Sequence, residues 1–226
     1  MSRSEGIIDR ARVEGKRVAI VGVGGLGCTA ASLLARQGMD LVLIDGDVVE
    51  KSNLERQVLF KEKDINRPKV DVAKEQLESF TNIRKIFDTL TDDNTKMLEG
   101  VDFVLDCTDN VDTRLVINEF CIENNIPWVY SAAVKEIGAL YLIDPEDEGR
   151  ACYECLNGDK SGESACDVGV MNTTVSIVAT ISAKMIVDFF AKDTYEKDLL
   201  RIDCETMSIE RIRVKRKETC KCRRRR

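Results

Sequence analysis

The chain has 226 residues, a length that suits one folded domain with a sizeable core. Hydrophobic residues make up 43% and charged residues 33%, which excludes a disordered or fibrous chain. Histidine is absent, so histidine triads, imidazole bases and histidine metal ligands are excluded as well. The net charge of −6 is uneven, because residues 211–226 hold ten Lys or Arg and one Glu. The acidic remainder repels nucleic acid, so only the basic tail at residues 223–226 could contact a polyanion, and a solvated, frayed terminus is the favoured interpretation of that tail.

In chain order, short β-branched runs alternate with longer helical stretches. Strands are predicted at residues 17–21, 41–44, 83–87, 101–105 and 128–130, and helices at residues 26–37, 68–80 and 111–124. This alternation predicts an α/β fold with a Rossmann-like, doubly wound, mainly parallel sheet and right-handed crossovers.

The second half changes character and predicts an antiparallel, β-rich C-terminal part. Its predicted elements are strands at residues 139–143 and 207–215, a mobile Gly/Ser-rich loop at 157–164 and a long helix at 168–191. Lys184 and Asp188 interrupt the apolar stretch of that helix, so we expect no membrane span. No secretory signal is predicted, and we expect a single cytoplasmic domain over residues 1–226, with residues 1–14 as a lead-in.

A glycine-rich turn at residues 22–27 carries the first functional signal. Its sequence, GVGGLG, fits G-x-G-x-x-G and lies between a predicted strand and a predicted helix. Glycines let the backbone approach a nucleotide, and the helix N-terminus favours its negative charge. A carboxylate that binds ribose is expected at the end of the next strand, where Asp45 lies. The predicted contacts are Gly22, Gly24, Gly25, Gly27 and Asp45; the motif leaves NAD, FAD and ATP open.

Three further polar segments help to decide which of these nucleotides is bound. Residues 45–57, 67–69 and 106–110 all follow the carboxyl ends of predicted parallel strands, where such sheets bind ligands. Arg56 and Lys69 can clamp phosphate oxygens, and an acid such as Asp109 can hold Mg²⁺. Each residue is a weak signal by itself. Together they favour a triphosphate over a hydride-transfer cofactor.

With these segments and Gly169-Val170-Met171, the chain resembles the ubiquitin-activating-enzyme-like superfamily, in particular the ThiF, MoeB and HesA adenylyltransferases. The likeness covers about residues 15–222. It implies ATP-dependent adenylation of the C-terminal glycine of a small ubiquitin-fold sulfur carrier protein ending in Gly-Gly, with release of pyrophosphate. It also implies a homodimer. In the implied site Asp45 holds the ribose, Asp109 holds Mg²⁺, and other side chains surround the phosphates. The remaining implied contacts are Asp47, Asn53, Arg56, Gln57, Lys69 and Asn110.

The nine cysteines point to thiol or metal chemistry rather than to a disulfide framework. Cys152 and Cys155 form a C-x-x-C pair, and Cys220 and Cys222 form a C-x-C pair. Two such pairs can build a closed tetrahedral Zn²⁺ site. The resembled family typically has two C-x-x-C pairs, so the second pair here is one residue short. A redox pair at Cys152 and Cys155, or simple surface thiols, are the alternatives.

Cys166 resembles the loop cysteine with which relatives bond covalently to the activated carrier or transfer sulfur. It lies three residues before Gly169, where relatives usually have four, so a catalytic nucleophile and a spare loop thiol both stay open. A thiolate near a helix N-terminus has a lowered pKa, which suits a nucleophile. The other four cysteines are expected to pack in the core. They are Cys28, Cys107, Cys121 and Cys204.

Three other functions stay open from the sequence. A non-catalytic partner of such an enzyme is one, because relatives use an N-terminal arginine for which Arg10 and Arg12 are weak substitutes. An NAD-dependent oxidoreductase would use the glycine turn and Asp45 alone, leaving the other polar segments unexplained. The third is an enzyme that adenylates a small molecule or a tRNA base. The sequence does not name the carrier or its pathway.

Overall fold

Eight strands form one sheet in the computed structural model, which describes residues 6–147, 149–157, 169–192, 194–218 and 220. The strands are β1 (Arg17–Val21), β2 (Asp40–Ile44), β3 (Ile83–Ile86), β4 (Phe103–Asp106), β5 (Trp128–Val134), β6 (Ile137–Ile143), β7 (Leu199–Asp203) and β8 (Ser208–Ile212). Their order across the sheet is β3-β2-β1-β4-β5-β6-β7-β8. Strands β1 to β5 are parallel, and β6, β7 and β8 continue the sheet antiparallel. The predicted fold class is confirmed.

Helices cover both faces of the sheet, as in a doubly wound fold. They are α1 (Gly25–Arg36), α2 (Lys69–Leu77), α3 (Val111–Asn124), α4 (Tyr153–Asn157) and α5 (Asn172–Ala191). Alternate residues of each parallel strand serve opposite faces. Ile20 packs with α1, α2 and α5, whereas its neighbour Val21 packs with α3 and α4. Strand order reverses between β1 and β4, so the crevice for a ligand opens at the carboxyl ends of these two strands.

The structure corrects several predicted boundaries. The helix predicted at residues 168–191 begins at Asn172, because Gly169 is left-handed (φ +73°) and Val170 pairs with Lys135 beside the sheet. The helix predicted at 68–80 is Lys69–Leu77. Strand β7 and helix α4 are additional to the prediction. Strand β8 is shorter than the predicted 207–215, and all its residues are exposed rather than half of them, because it forms the edge of the sheet.

Helix α5 passes a membrane-span test by length and composition, with a mean hydropathy of 1.6 over 18 residues. Its two charged residues are therefore too few to exclude a span, contrary to the sequence argument. In the fold, 56% of that window is buried inside the protein. Val175 and Val178 lie against the glycine turn and β6, where added Cβ atoms at Gly25 and Gly138 would come within 2.7 and 2.3 Å of them. The apolar side chains of α5 thus serve the core of this domain.

Candidate nucleotide site and thiol cluster

The glycine turn lies between the carboxyl ends of β1 and β4, and its geometry requires most of its glycines. Gly22 is left-handed (φ +91°), and a Cβ there would lie 2.7 Å from the carbonyl oxygen of Cys107. A Cβ at Gly27 would lie 2.0 Å from the carbonyl oxygen of Gly22. Gly24 differs, since its nearest neighbour would be Gln57 Nε2 at 3.8 Å. The fold therefore requires Gly22 and Gly27, whereas Gly24 leaves the backbone accessible to a ligand.

Asp45 ties the glycine turn to the end of β2. Its carboxylate accepts hydrogen bonds from the backbone N–H of Val23 at 2.6 Å and of Asp47 at 2.8 Å. Burial raises the pKa of Asp45, while the nearby Lys69 ammonium and these two N–H donors oppose the rise. Each carboxylate oxygen has a second lone pair, so Asp45 can still accept hydrogen bonds from ribose hydroxyls.

Lys69 brings a buried cation to the same edge of the sheet. Its Nζ lies 2.7 Å from Asp47 Oδ2, and the Lys69 side chain is only 8% exposed while that of Asp47 is 73% exposed. The backbone holds the pair in register, because the Lys69 N–H donates to the Asp47 carbonyl at 3.0 Å. An exposed carboxylate is a partner that a phosphate oxygen can replace at low cost. The Lys69 ammonium is thus placed where it can contact a phosphate.

The segment at residues 53–57, named here the clamp segment, folds back over the glycine turn. Gln57 is buried, and its Oε1 has no hydrogen-bond partner among the described residues. Arg56 donates from Nη1 to the Ser52 carbonyl at 3.0 Å and to Glu55 Oε1 at 3.3 Å. Asn172 at the start of α5 donates to the Glu55 carbonyl at 3.2 Å. A buried amide oxygen without a partner among the described residues, beside an accessible glycine, is typical of a site that binds a polar ligand.

Asn53 stabilises the backbone at the start of the clamp segment. It ends a 3-10 turn, where its Oδ1 accepts the N–H of Glu50 at 3.2 Å and its backbone carbonyl accepts the N–H of Gln57 at 2.9 Å. Its Nδ2 donates to Ser52 Oγ at 3.5 Å, a long hydrogen bond that a ligand could displace.

The loop at residues 106–110, named here the β4–α3 loop, is clamped on both sides of Asp109. On one side the buried Asp106 accepts hydrogen bonds from Thr108 N at 2.9 Å, Thr108 Oγ1 at 2.6 Å and Arg114 Nε at 3.0 Å. On the other side Asn110 caps α3, accepting the N–H of Thr113 at 2.8 Å. Asp109 is exposed at the tip. Its neighbours therefore fix the backbone position from which this carboxylate extends.

Arg114 is a site residue that sequence reasoning missed. Burial raises the pKa of Asp106, and the guanidinium of Arg114 opposes that rise as its buried counter-charge. The available signal was an acid at a strand end followed eight residues later by an arginine one turn into a helix. Spacing of that kind is too common to single out without the fold.

Three cysteine sulfurs meet on the opposite face of the sheet from α1 and form the thiol cluster. Cys152 Sγ lies 3.3 Å from Cys220 Sγ and 3.9 Å from Cys155 Sγ, and all three lie within 4.8 Å of one another in buried surroundings. A tetrahedral Zn²⁺ with Zn–S bonds of about 2.3 Å needs sulfurs about 3.8 Å apart. The Lys217 N–H donates to Cys155 Sγ at 3.4 Å, as around metal-bound thiolates. These three thiols fit a zinc site.

Residues 5–223 match the ThiF family. The chain belongs to the ThiF family. The Sulfur carrier protein ThiS adenylyltransferase of Escherichia coli K12 is 39% identical over 174 residues, which are 74% of this chain and 69% of the relative. The Molybdopterin-synthase adenylyltransferase of the same organism is 34% identical over 185 residues, which are 77% of this chain and 73% of the relative. This ThiF-family chain is thus an enzyme of the adenylyltransferase class, as the resemblance implied.

A solved structure shares the fold at lower identity. The E. coli MccB structure with ATP superposes with a TM-score of 0.81 over 94% of this chain and 68% of that one. Its 23% identity supports the architecture alone.

The structure brings most of the predicted site residues of this ThiF-family chain to one edge of the sheet. The glycine turn, Asp45, the clamp segment, Lys69 and the β4–α3 loop all follow the carboxyl ends of β1, β2 and β4. Asn110 is less available than predicted, because its side-chain oxygen caps α3. Cys166 and Cys222 lie outside the described residues, so the loop nucleophile and the fourth thiol stay predictions.

The four cysteines predicted to pack in the core do so. Cys28 and Cys121 are buried, and burial raises the pKa of Cys28 to about 12. Burial also raises the pKa of Cys107. Cys107 and Cys204 are partly exposed and pack against the core.

Proposed function

We propose that this chain adenylates the C-terminal glycine of a small ubiquitin-like sulfur carrier protein, using ATP and releasing pyrophosphate. Two relatives are named adenylyltransferases, and one is named for a sulfur carrier. The carrier of this chain would be a small protein ending in Gly-Gly, and the enzyme would work in the cytoplasm as a homodimer. The pathway that it serves is set by the carrier rather than by the site.

One observation carries the proposal: the polar clamp segment, which includes the cation Arg56, lies over the glycine turn, where an oxidoreductase would not need it. An oxidoreductase would use the glycine turn and Asp45 and leave the neighbouring residues to solvent. Here the clamp segment lies on the turn, with the Arg56 carbonyl 3.4 Å from the Cβ position of Gly25 and Gln57 beside Gly24. Lys69 adds a buried ammonium at the same edge. Such donors match a triphosphate.

The reaction balances without a protein base. A carboxylate oxygen of the carrier's terminal glycine attacks the α-phosphorus, the bond from that phosphorus to the bridging oxygen breaks, and pyrophosphate leaves. No proton moves, which is consistent with a chain that has no histidine. Arg56 and Lys69 would stabilise the negative charge that builds on the α-phosphate and on the departing pyrophosphate. Asp109 would hold the Mg²⁺ that neutralises part of that charge.

The thiol cluster takes no part in this chemistry in the proposal. A closed site of buried thiolates is the structural kind of zinc site, which has no open position for a substrate. Zinc there would join α4 to the segment around Cys220 and so fix the antiparallel end of the domain. Cys222 is the proposed fourth ligand, and Cys166 is the proposed thiol for any covalent step with the carrier.

The test compares two carboxylates on neighbouring turns. Calorimetric titration with Mg·ATP should give binding that weakens at least tenfold in Asp109→Asn. Asp112→Asn, which removes an equally exposed acid from the first turn of α3, should bind like the parent protein. NAD should not bind. Tight NAD binding without a response to Mg·ATP would contradict the proposal and favour an oxidoreductase.

A further inference from the structure

Helix α3 contacts both the β4–α3 loop and the segment that carries Cys152 and Cys155, through two side chains one turn apart. Near its start, Arg114 contacts the loop. One turn later, Asn118 Oδ1 accepts the backbone N–H of Tyr153 at 3.0 Å, and Tyr153 lies between Cys152 and Cys155. Both α3 side chains are buried. The same rigid element is therefore fastened to both places.

Arg114 makes more contacts with the loop than an ion pair requires. Besides Asp106, it donates from Nη2 to the carbonyl oxygen of Thr108 at 2.5 Å. Its planar fork thus fixes two successive parts of the loop that presents Asp109, which a lysine could not do.

An aromatic bridge joins the same guanidinium to the cysteine pair. Its central carbon lies 5.0 Å from the ring centroid of Tyr130, and that ring lies 5.2 Å from the ring of Tyr153. The Arg114 guanidinium also lies within hydrogen-bond reach of the Tyr153 hydroxyl. Tyr153 therefore reaches Arg114 by its side chain and α3 by its backbone.

We propose that Arg114 is a positioning residue through which the thiol cluster and the Mg·ATP site are energetically coupled. Metal held by Cys152 and Cys155 fixes Tyr153, Tyr153 fixes Arg114, and Arg114 holds the β4–α3 loop in the shape that presents Asp109. The inference rests on the proposed function for one point, that Asp109 serves Mg·ATP. It adds that metal at the cluster strengthens nucleotide binding.

Coupling of this kind is reciprocal, so it can be measured at the thiol cluster instead of at the nucleotide site. If bound metal favours Mg·ATP, then Mg·ATP must favour bound metal by the same factor. A zinc site independent of the nucleotide edge would have the same Zn²⁺ affinity in the folded protein whether nucleotide is bound or not. The equilibrium Zn²⁺ affinity is thus the quantity that the coupling changes.

The experiment measures the Zn²⁺ affinity of the full-length protein by equilibrium competition with a chromogenic chelator, with and without saturating Mg·ATP. We expect Mg·ATP to raise the Zn²⁺ affinity at least about fivefold, the lower end of typical coupling between sites. Tyr153→Phe keeps the ring but removes the hydroxyl beside Arg114, and it should remove most of this gain. Arg114→Lys should remove all of it.

Tyr141→Phe is the matched control. It also deletes a buried tyrosine hydroxyl beside the cysteine pair, one that donates to the Ala151 carbonyl at 3.0 Å and lies beside Arg150 instead of Arg114. This variant should keep the full gain in Zn²⁺ affinity from Mg·ATP. Should Arg114→Lys fail to fold, because its buried pair with Asp106 is disturbed, Tyr153→Phe still decides, since it leaves that ion pair intact.

A second readout uses Trp128, the one tryptophan of the sequence, whose ring lies 6.0 Å from that of Tyr153. Its emission should change on Mg·ATP binding in the parent protein and in Tyr141→Phe, and not in Tyr153→Phe. Equal Zn²⁺ affinities with and without nucleotide, in a parent protein that binds Mg·ATP tightly, would overturn the coupling and leave the proposed function intact. Absence of Mg·ATP binding in the parent would overturn both.

Discussion

The parallel and the antiparallel ends of the sheet use buried polar groups in opposite ways. At the carboxyl edge of β1, β2 and β4, Gln57 keeps an oxygen with no partner among the described residues, and Lys69 pairs with an exposed acid. At the antiparallel end, the three sulfurs of the thiol cluster face one another in a buried group. Polar atoms with remaining hydrogen-bonding capacity are typical of a substrate site, and converging buried thiols are typical of a structural metal site.

The difference also predicts what substitutions should do. Changes at the antiparallel end should lower the free energy of unfolding and affect nucleotide affinity only through it or through Arg114. Changes at the carboxyl edge should affect nucleotide affinity, except where a glycine is required by backbone packing. The following four experiments test this division, from the largest expected effect to the smallest.

Cys152→Ser should have the largest effect on stability. Loss of a metal site is among the few single changes that cost more than about 4 kcal/mol, which is roughly 8–16 °C in Tm for a domain of this size. Thermal unfolding with and without a chelator measures this effect. The chelator should lower the Tm of the parent protein and leave the Tm of the variant unchanged. Cys121→Ser, a buried thiol on the same face of the sheet, is the control and should cost about 1–3 kcal/mol with chelator sensitivity retained. A parent whose Tm ignores the chelator would contradict the metal assignment.

Gly27→Ala and Gly24→Ala should separate two roles within one turn. A Cβ at Gly27 meets a carbonyl oxygen at 2.0 Å, so the turn must shift, at a cost of about 3 kcal/mol or more in the free energy of unfolding. A Cβ at Gly24 has room, so Gly24→Ala should fold within about 1 kcal/mol of the parent and yet bind Mg·ATP less tightly. Urea unfolding and calorimetry measure the two effects. Equal destabilisation by both variants would contradict the accessible position at Gly24.

Lys69→Met should weaken Mg·ATP binding about 10- to 100-fold with little loss of stability. Its Asp47 partner is exposed and stays solvated when the ammonium is removed, while the methionine keeps the buried stem packed. Lys85→Met removes a similar ion pair, with Asp71 at 2.8 Å, from β3 and should leave nucleotide affinity unchanged. Calorimetric titration of both variants is the measurement. Equal affinities in the parent and in Lys69→Met would remove Lys69 from the phosphate site.

The smallest expected effect is the pH dependence that Asp45 gives to the free energy of unfolding. Because burial raises its folded-state pKa above 3.8, protonation of Asp45 favours the folded protein. That contribution is fully present below pH 3.8 and is lost as pH rises through the folded pKa. The stability of the parent relative to Asp45→Asn should therefore fall as pH rises from about 3.8 and then level off. Urea unfolding of both proteins across this range measures it, and a difference that rises with pH would contradict the stated direction.

Local motifs were readable from the sequence because their geometry is local. The glycine turn lies between one strand and one helix, and the requirement for Gly27 arises within the turn, from the Gly22 carbonyl, whereas the close contact at Gly22 comes from Cys107 after β4. The approach of Cys220 to Cys152 was also predicted, because cysteine pairs signal shared ligation across long separations.

Contacts that depend on tertiary packing were not readable. Arg114 and Tyr153 are ordinary residues in sequence, and only the packing of α3 against β4, β5 and α4 brings them together. Strand β7 was missed because Leu199–Asp203 is short and only alternately buried, so its apolar signal is weak. The start of α5 was misplaced because the left-handed Gly169 breaks an otherwise helical pattern.

The most direct test of the proposed adenylation is ATP–pyrophosphate exchange with a carrier. The purified protein would be mixed with Mg·ATP, labelled pyrophosphate and a ubiquitin-fold sulfur carrier ending in Gly-Gly, beside the same carrier without its last glycine. We predict label entering ATP with the intact carrier alone, and its loss in Asp109→Asn but not in Asp112→Asn. Exchange that ignores the carrier's last glycine, or none with any Gly-Gly carrier although Mg·ATP binds tightly, would contradict adenylation of a carrier glycine by this chain.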